Sequence, residues 1–93
     1  MRKLGNENEA VEVFGALSDK TRLNIVRELM DGEKPCSELI LKYSISKSTF
    51  SHHAKILARC GLVKFRRVGK FLFFSLERKY LEDPIWSLIK GCD

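Results

Sequence analysis

One stretch, Ser44 to Leu62, spells out a helix together with both of its ends, and it constrains everything around it. Ser46 is a helix N-cap residue, whose hydroxyl accepts an orphan backbone N–H of the first turn. Gly61 is the residue type found just past helix C-termini, where φ turns positive. Between them Phe50, His53, Ala54 and Leu57 fall at i, i+3, i+4 and i+7, so one face is built to be buried. The other face carries Lys47, Ser48, Ser51, His52, Lys55 and Arg59, all donors or cations and no carboxylate. A solvated surface helix would also be polar on its outside. A short helix that is apolar within and rich in hydroxyls and cations without suits the major groove of duplex DNA.

The charge distribution favours the second alternative. The chain has 93 residues and a formal net charge of +5. From Lys42 to Lys79 ten Lys or Arg face one acid, a balance of +9. Residues 1–41, with six bases and eight acids, and residues 80–93, with one base and three acids, each come to −2. A basic centre between mildly acidic ends is the footprint of a polyanion-binding face. An anionic membrane surface would instead call for a basic amphipathic helix with large exposed apolar residues. No apolar run approaches the roughly 18–20 residues that cross a bilayer. The N-terminal segment has charge but no hydrophobic stretch of a secretory signal. A cytoplasmic protein without a membrane partner is expected.

Read in order, residues 1–8 are polar and expected to form a flexible tail, and residues 9–93 one domain. A first helix is expected from Glu9 to Leu17, with Ala10, Val13, Phe14 and Leu17 as its stripe. Asp19 caps a second helix from Lys20 to about Asp31, closed by Gly32. Pro35 opens a short third helix through Leu41, since proline is tolerated at a helix start. The segment Lys42 to Ile45 then turns into the fourth helix, which makes a helix-turn-helix with Ser44 where glycine is usual. Past Gly61 the period changes to that of strands. Leu62–Val68 and Phe71–Leu76, separated by Gly69-Lys70, read as a hairpin. Asp83 and Pro84 start a last helix from Ile85 to about Gly91, rich in apolar residues.

The expected class is thus mainly α with a small β-hairpin, a winged helix-turn-helix of order α-α-α-α-β-β-α in a single domain. The fourth helix would read bases through Lys47, Ser48, Ser51 and His52, with Ser46 at its cap. Thr49, His53 and Lys55 would position it on phosphates or brace it. His53 lies on the inner face, where a hydrogen-bonded core histidine is the plainer alternative. Arg66, Arg67 and Lys70 would hold the hairpin on the DNA backbone. The same charges could merely protect an edge strand from aggregation, but Lys64, Arg66, Arg67 and Lys70 arrive without an acid among them. Val13 and Phe14, with Ile85, Trp86, Leu88 and Ile89, are left over to build a homodimer contact. Cys36, Cys60 and Cys92 are odd in number and form no CxxC pair, which argues against a disulfide framework or a zinc knuckle. Small buried hydrophobes are the default for all three. Cys36, near a helix start, and Cys92, in the expected dimer contact, are the candidates for redox chemistry.

The chain resembles the ArsR/SmtB family of bacterial winged-helix transcriptional repressors. The residues from Ala16 to Val26, ALSDKTRLNIV, look like that family's ALSDPTRLRIL opening. Those from Ser46 to Leu57, SKSTFSHHAKIL, are close to its SQSTVSHHLKVL. Gly61-Leu62-Val63, Arg66-Arg67, Gly69-Lys70 and Phe73 to Leu76 extend the match across residues 14–76. The resemblance implies a homodimer on an inverted-repeat operator in double-stranded DNA, released or held by an effector. It also implies, in many members, a metal site built on two thiols separated by one residue at the start of the third helix. Pro35 and Ser37 stand at those positions here, with the single Cys36 between them, and no His follows His53. Soft metals need several thiolate or imidazole ligands, so no metal and no cofactor are expected.

Two rival classes remain. A winged-helix module that binds protein and not DNA need not keep a +9 central block. An enzyme built on Cys60 with His52 or His53 would place its thiolate near a helix C-terminus, where the dipole disfavours it, and would lack an orienting carboxylate nearby in sequence. A DNA-binding regulator, acting as a repressor and without catalysis, accounts for the most residues.

Overall fold

The computed structural model describes residues 7–82, the side chain of Leu81 excepted. Helix α1 runs Glu7–Leu17, α2 Lys20–Leu29, α3 Cys36–Tyr43 and α4 Lys47–Arg59. Strand β1 is Lys34–Pro35, β2 Val63–Val68 and β3 Phe71–Leu76, followed by a four-residue helix α5, Arg78–Leu81. This is a mainly helical winged helix-turn-helix with a small antiparallel sheet. The expected last helix, Ile85 to Gly91, lies outside the described residues, and so do Ile85, Trp86, Leu88, Ile89 and Cys92.

Helix ends are set by the residues that mark them in the sequence. Asp19 accepts the backbone N–H of Arg22 at 3.1 Å and caps α2. Ser46 accepts that of Thr49 at 3.0 Å and caps α4. At the far end of α4, Gly61 has φ of 84°. Its N–H reaches Ala58 O at 3.0 Å, and the next N–H, of Leu62, reaches Leu57 O at 3.1 Å. That pair of bonds is a Schellman motif, and Leu57 and Leu62, its apolar partners, are both fully buried. The same motif ends α3, where Ser44 N–H bonds Leu41 O at 3.2 Å and Ile45 N–H bonds Ile40 O at 3.3 Å. Ser44 holds φ of 53°, so the serine does take the glycine's place in the turn.

Three boundaries differ from expectation. The helix α1 begins at Glu7, inside the expected tail, with Glu7 and Glu9 in the first turn where carboxylates complement the dipole. Pro35 is not the first residue of α3. It is extended (φ −68°, ψ 141°) and pairs with Phe73, while Lys34 pairs with Phe74. The hairpin therefore has a third strand in the order β1-β3-β2, and a proline is tolerated there because β1 is an edge. The residues after β3 form α5, whose Tyr80 is fully buried and donates its hydroxyl to Glu9.

The core collects Val13 and Ala16 of α1, Ile25, Val26 and Leu29 of α2, Leu39 of α3, Phe50, Ala54 and Leu57 of α4, and Val63, Phe74 and Leu76 of the sheet. Val13, expected at a dimer contact, is thus filled into its own chain. Helical spacing explains this: Val13 and Ala16 share one face of α1, and Val11 and Phe14 share another. The second pair stays 64% and 47% exposed.

A serine at positive φ carries steric strain that glycine lacks. Ser44→Gly should raise the unfolding free energy by up to about 1 kcal/mol, measured by urea denaturation, without changing the helix content.

Candidate nucleic-acid interface

The outer face of α4 is open. Lys47, Ser48, Ser51, His52, Lys55 and Arg59 are all exposed, and among the described residues none of them has an ion pair with a carboxylate. The hydroxyls at its start are committed to one another: Ser46 Oγ lies 2.9 Å from Thr49 Oγ1 and 3.3 Å from Ser48 Oγ. They fix the first turn and leave Ser51, His52, Lys55 and Arg59 exposed beyond it.

The helix is held from behind by Arg22. Its backbone N–H goes to Asp19, its Nε donates to Ala16 O at 2.7 Å, and its Nη1 lies 3.2 Å from His53 Nδ1. One side chain thereby joins the end of α1, the start of α2 and the middle of α4. An arginine has only donors, so His53 Nδ1 accepts and the neutral ring carries its proton on Nε2. The His53 side chain is 12% exposed, with Asp19 Oδ2 3.9 Å away. This geometry fits the hydrogen-bonded histidine of the inner face, which here braces α4 through Arg22. In parallel, Tyr43 donates to Asn24 O and Glu28 at 3.2 Å, and Lys42 pairs with Glu28 at 2.8 Å, fastening α3 to α2.

In the hairpin, strand alternation splits Arg66 from Arg67. Phe65 and Phe74 face each other with ring centroids 4.8 Å apart, and Phe74 lies 5.5 Å from Phe50 of α4. Arg67, two residues on from Phe65, belongs to that same face and stands opposite Leu72. Arg66 belongs to the other face. Its Nε and Nη2 each donate to Glu33 at 2.8 Å, and its guanidinium lies 5.3 Å from the Phe73 ring. Arg66, expected to hold the hairpin on a DNA backbone, is thus already paired with a carboxylate. Arg67 and Lys70 are exposed and have no ion pair among the described residues. The turn between the strands places Gly69 at φ of 62°.

The partners that sequence reasoning missed are Arg22 and Glu33. Asp19 marked a cap but nothing marked Arg22 as a hub, and Glu33 lies 33 residues from the arginine it binds. Cys36 is buried, as its default reading as a small hydrophobe has it, and burial pushes its thiol pKa up, away from the thiolate that redox chemistry would use. No group of three or more His, Cys, Asp or Glu gathers into a metal-binding cluster among the described residues. No helix among them is long and apolar enough to cross a membrane.

Residues 19–64, from the cap of α2 into β2, match the profile of the bacterial regulatory protein, arsR family. The transcriptional repressor SdpR of Bacillus subtilis is 36% identical over 77 residues, covering 82% of this chain and 86% of SdpR. Among solved structures, HlyU from Vibrio cholerae has a TM-score of 0.84 at 30% identity, covering 95% of this chain and 96% of that one. The homodimeric winged helix-turn-helix DNA-binding domain of a possible ArsR-family regulator from Mycobacterium bovis has a TM-score of 0.81 at 23% identity, covering 97% and 82%. That last likeness is one of fold.

Burial first, and then Arg22 and His52, lower the His53 pKa below the usual imidazole value, against the pull of Asp19. The unfolded chain therefore takes up this proton at higher pH than the folded one. The stabilisation is complete above the unfolded value of about 6.5 and is lost as pH falls through the folded one. The urea midpoint should drop between about pH 7.5 and about pH 5.5 and should drop less in His53→Gln. Equal drops would assign the titration to another group.

Proposed function

This chain belongs to the ArsR family of bacterial transcriptional regulators, a family of DNA-binding proteins and not of enzymes, and from that premise we propose that it acts as a homodimeric repressor on an inverted-repeat operator. The observation that carries the reading is the acid-free outer face of α4 beside the exposed Arg67 and Lys70 of the hairpin, which have no ion pair among the described residues. Ser51 and His52 read base edges in the major groove. Lys47, Lys55, Arg67 and Lys70 neutralise phosphates, and Ser46, Ser48 and Thr49 set the turn from which α4 enters. His53 braces the helix through Arg22. Repression is supported by the likeness to SdpR. Cys36 packs, and with proline and serine on either side of it the chain has one thiol where a soft metal needs several.

The dimer reading rests on Val11 and Phe14, an exposed apolar pair on α1 that the chain's own core does not use. A two-fold dimer sets two recognition helices about 34–36 Å apart, one helical turn of DNA. Ile85, Trp86, Leu88 and Ile89, also expected at a dimer contact from the sequence, lie outside the described residues. An isologous patch meets its own copy, so one inserted charge acts twice.

Selection from a random duplex pool should enrich an inverted repeat; a pool without enrichment would overturn the assignment in favour of a protein-binding module. On the selected site, Ser51→Ala or His52→Ala should relax preference at particular positions, each lost base contact being worth about 1–3 kcal/mol. Arg67→Ala or Lys70→Ala should weaken all sequences alike and lower the salt slope by about 0.9 per lost phosphate contact. Identical behaviour of the two classes would refute the division between helix and hairpin. Phe14→Glu should sediment as a monomer at micromolar concentration and bind DNA in the non-specific range of about 10⁻⁴–10⁻⁶ M. A wild type that is itself a monomer would refute the dimer.

A further inference from the structure

The sheet has an unequal build. Strand β1 contributes two residues, while β2 and β3 contribute six each and project as the hairpin. At the root of the hairpin Val63, Phe74 and Leu76 are buried, but from Lys64 onward β2 is exposed. In the outer half of the hairpin Leu72 alone is packed against the core, which leaves little to set the angle of this half against α4. Across this half runs one row of cross-strand neighbours, Pro35 to Phe73 to Arg66. Arg66 reaches over Phe73, the middle member, and grips Glu33, the residue just before β1, with two bonds of 2.8 Å. An arginine–carboxylate fork of this kind fixes orientation as well as distance, and the Phe73 ring beneath the guanidinium adds a cation–π contact.

We propose that Glu33 and Arg66 are positioning residues for DNA binding: a strap from the outer strand to the α2–α3 connection that holds the hairpin at the angle where Arg67 and Lys70 meet phosphates. The inference rests on the DNA-binding reading above. Arg66 acts through the hairpin and makes no phosphate contact itself, because alternation turns it to the face away from Phe50 and α4. Glu33 strengthens this role by its chemistry. Hydrogen bonding to Arg66 holds its carboxyl below the usual range, so it stays ionised throughout the neutral region.

The test compares wild type, Glu33→Gln, Arg66→Gln, the double variant and Arg67→Gln on a duplex enriched by the wild type, titrated over a range of KCl concentrations. Glu33→Gln and Arg66→Gln should each weaken binding about two- to fivefold, the range that an exposed ion pair commands. Both should keep the wild-type salt slope, and the double variant should be no weaker than either single one. Arg67→Gln should lower the slope by about 0.9. If Glu33→Gln tightens binding and Arg66→Gln lowers the slope, Arg66 is a phosphate contact for which Glu33 competes, and the strap is refuted. Unchanged affinity in Glu33→Gln refutes it as well. A wild type that enriches no duplex refutes the DNA-binding reading itself, and the strap with it.

Discussion

The outer faces of α4 and of the hairpin are both set by the packing around Phe74. The ring is fully buried at the centre of β3, paired in register with Lys34 of β1 on one side and Phe65 of β2 on the other. It meets Phe50 of α4 at 5.5 Å. Helix α4 and the hairpin are thus seated against the same side chain. A protein interior at close-packed density transmits a displacement without absorbing it. The mutual angle of helix and hairpin is set here first, and the polar contacts of Arg22 and Arg66 act on what this packing leaves free.

Those polar contacts divide the work by element. Arg22 and His53 hold α4 against the α1–α2 corner, and Tyr43 with Glu28 holds α3 against α2. Arg66 with Glu33 holds the hairpin to the α2–α3 connection. Each brace starts on α2 or the loop after it and ends on α3, α4 or the hairpin. The exposed cations Arg67 and Lys70 are left out of every such pair among the described residues. A cation already bound to a carboxylate would have to give up that partner before it could release a counterion from DNA. The distinction between bracing and binding is therefore also one of charge availability.

Local chemistry made most of this fold legible in the sequence. Caps at Asp19 and Ser46, the glycine at 61 and the change of period after it are short-range signals, and each stands where the residues put it. The outer face of α4 was legible for the same reason, since helical spacing alone decides which of its residues point together. Two kinds of information were not. Strand alternation was available for Arg66 and Arg67, but which face met the helix depended on Phe74 packing against Phe50. The pairing of Lys34 and Pro35 with β3, and of Glu33 with Arg66, joins residues more than thirty positions apart, and no local pattern encodes such a meeting. Val13 and Phe14 show the same limit in α1, where apolarity marked both residues without saying which one the core would take.

The hydrogen bond between Tyr80 and Glu9 spans 71 residues and draws the described chain into a nearly closed ring. The entropy lost on closing a loop grows with its length, so a link of this span forms late, once the elements between its ends have already docked. It then couples those ends. Fraying of the first turn of α1 would break the bond that buried Tyr80 gives Glu9, and release of α5 would take both Tyr80 and Lys79 from Glu9. The beginning and the end of the described chain therefore belong to one cooperative unit, so that the segment following the hairpin cannot loosen without also loosening the helix that carries Val11 and Phe14.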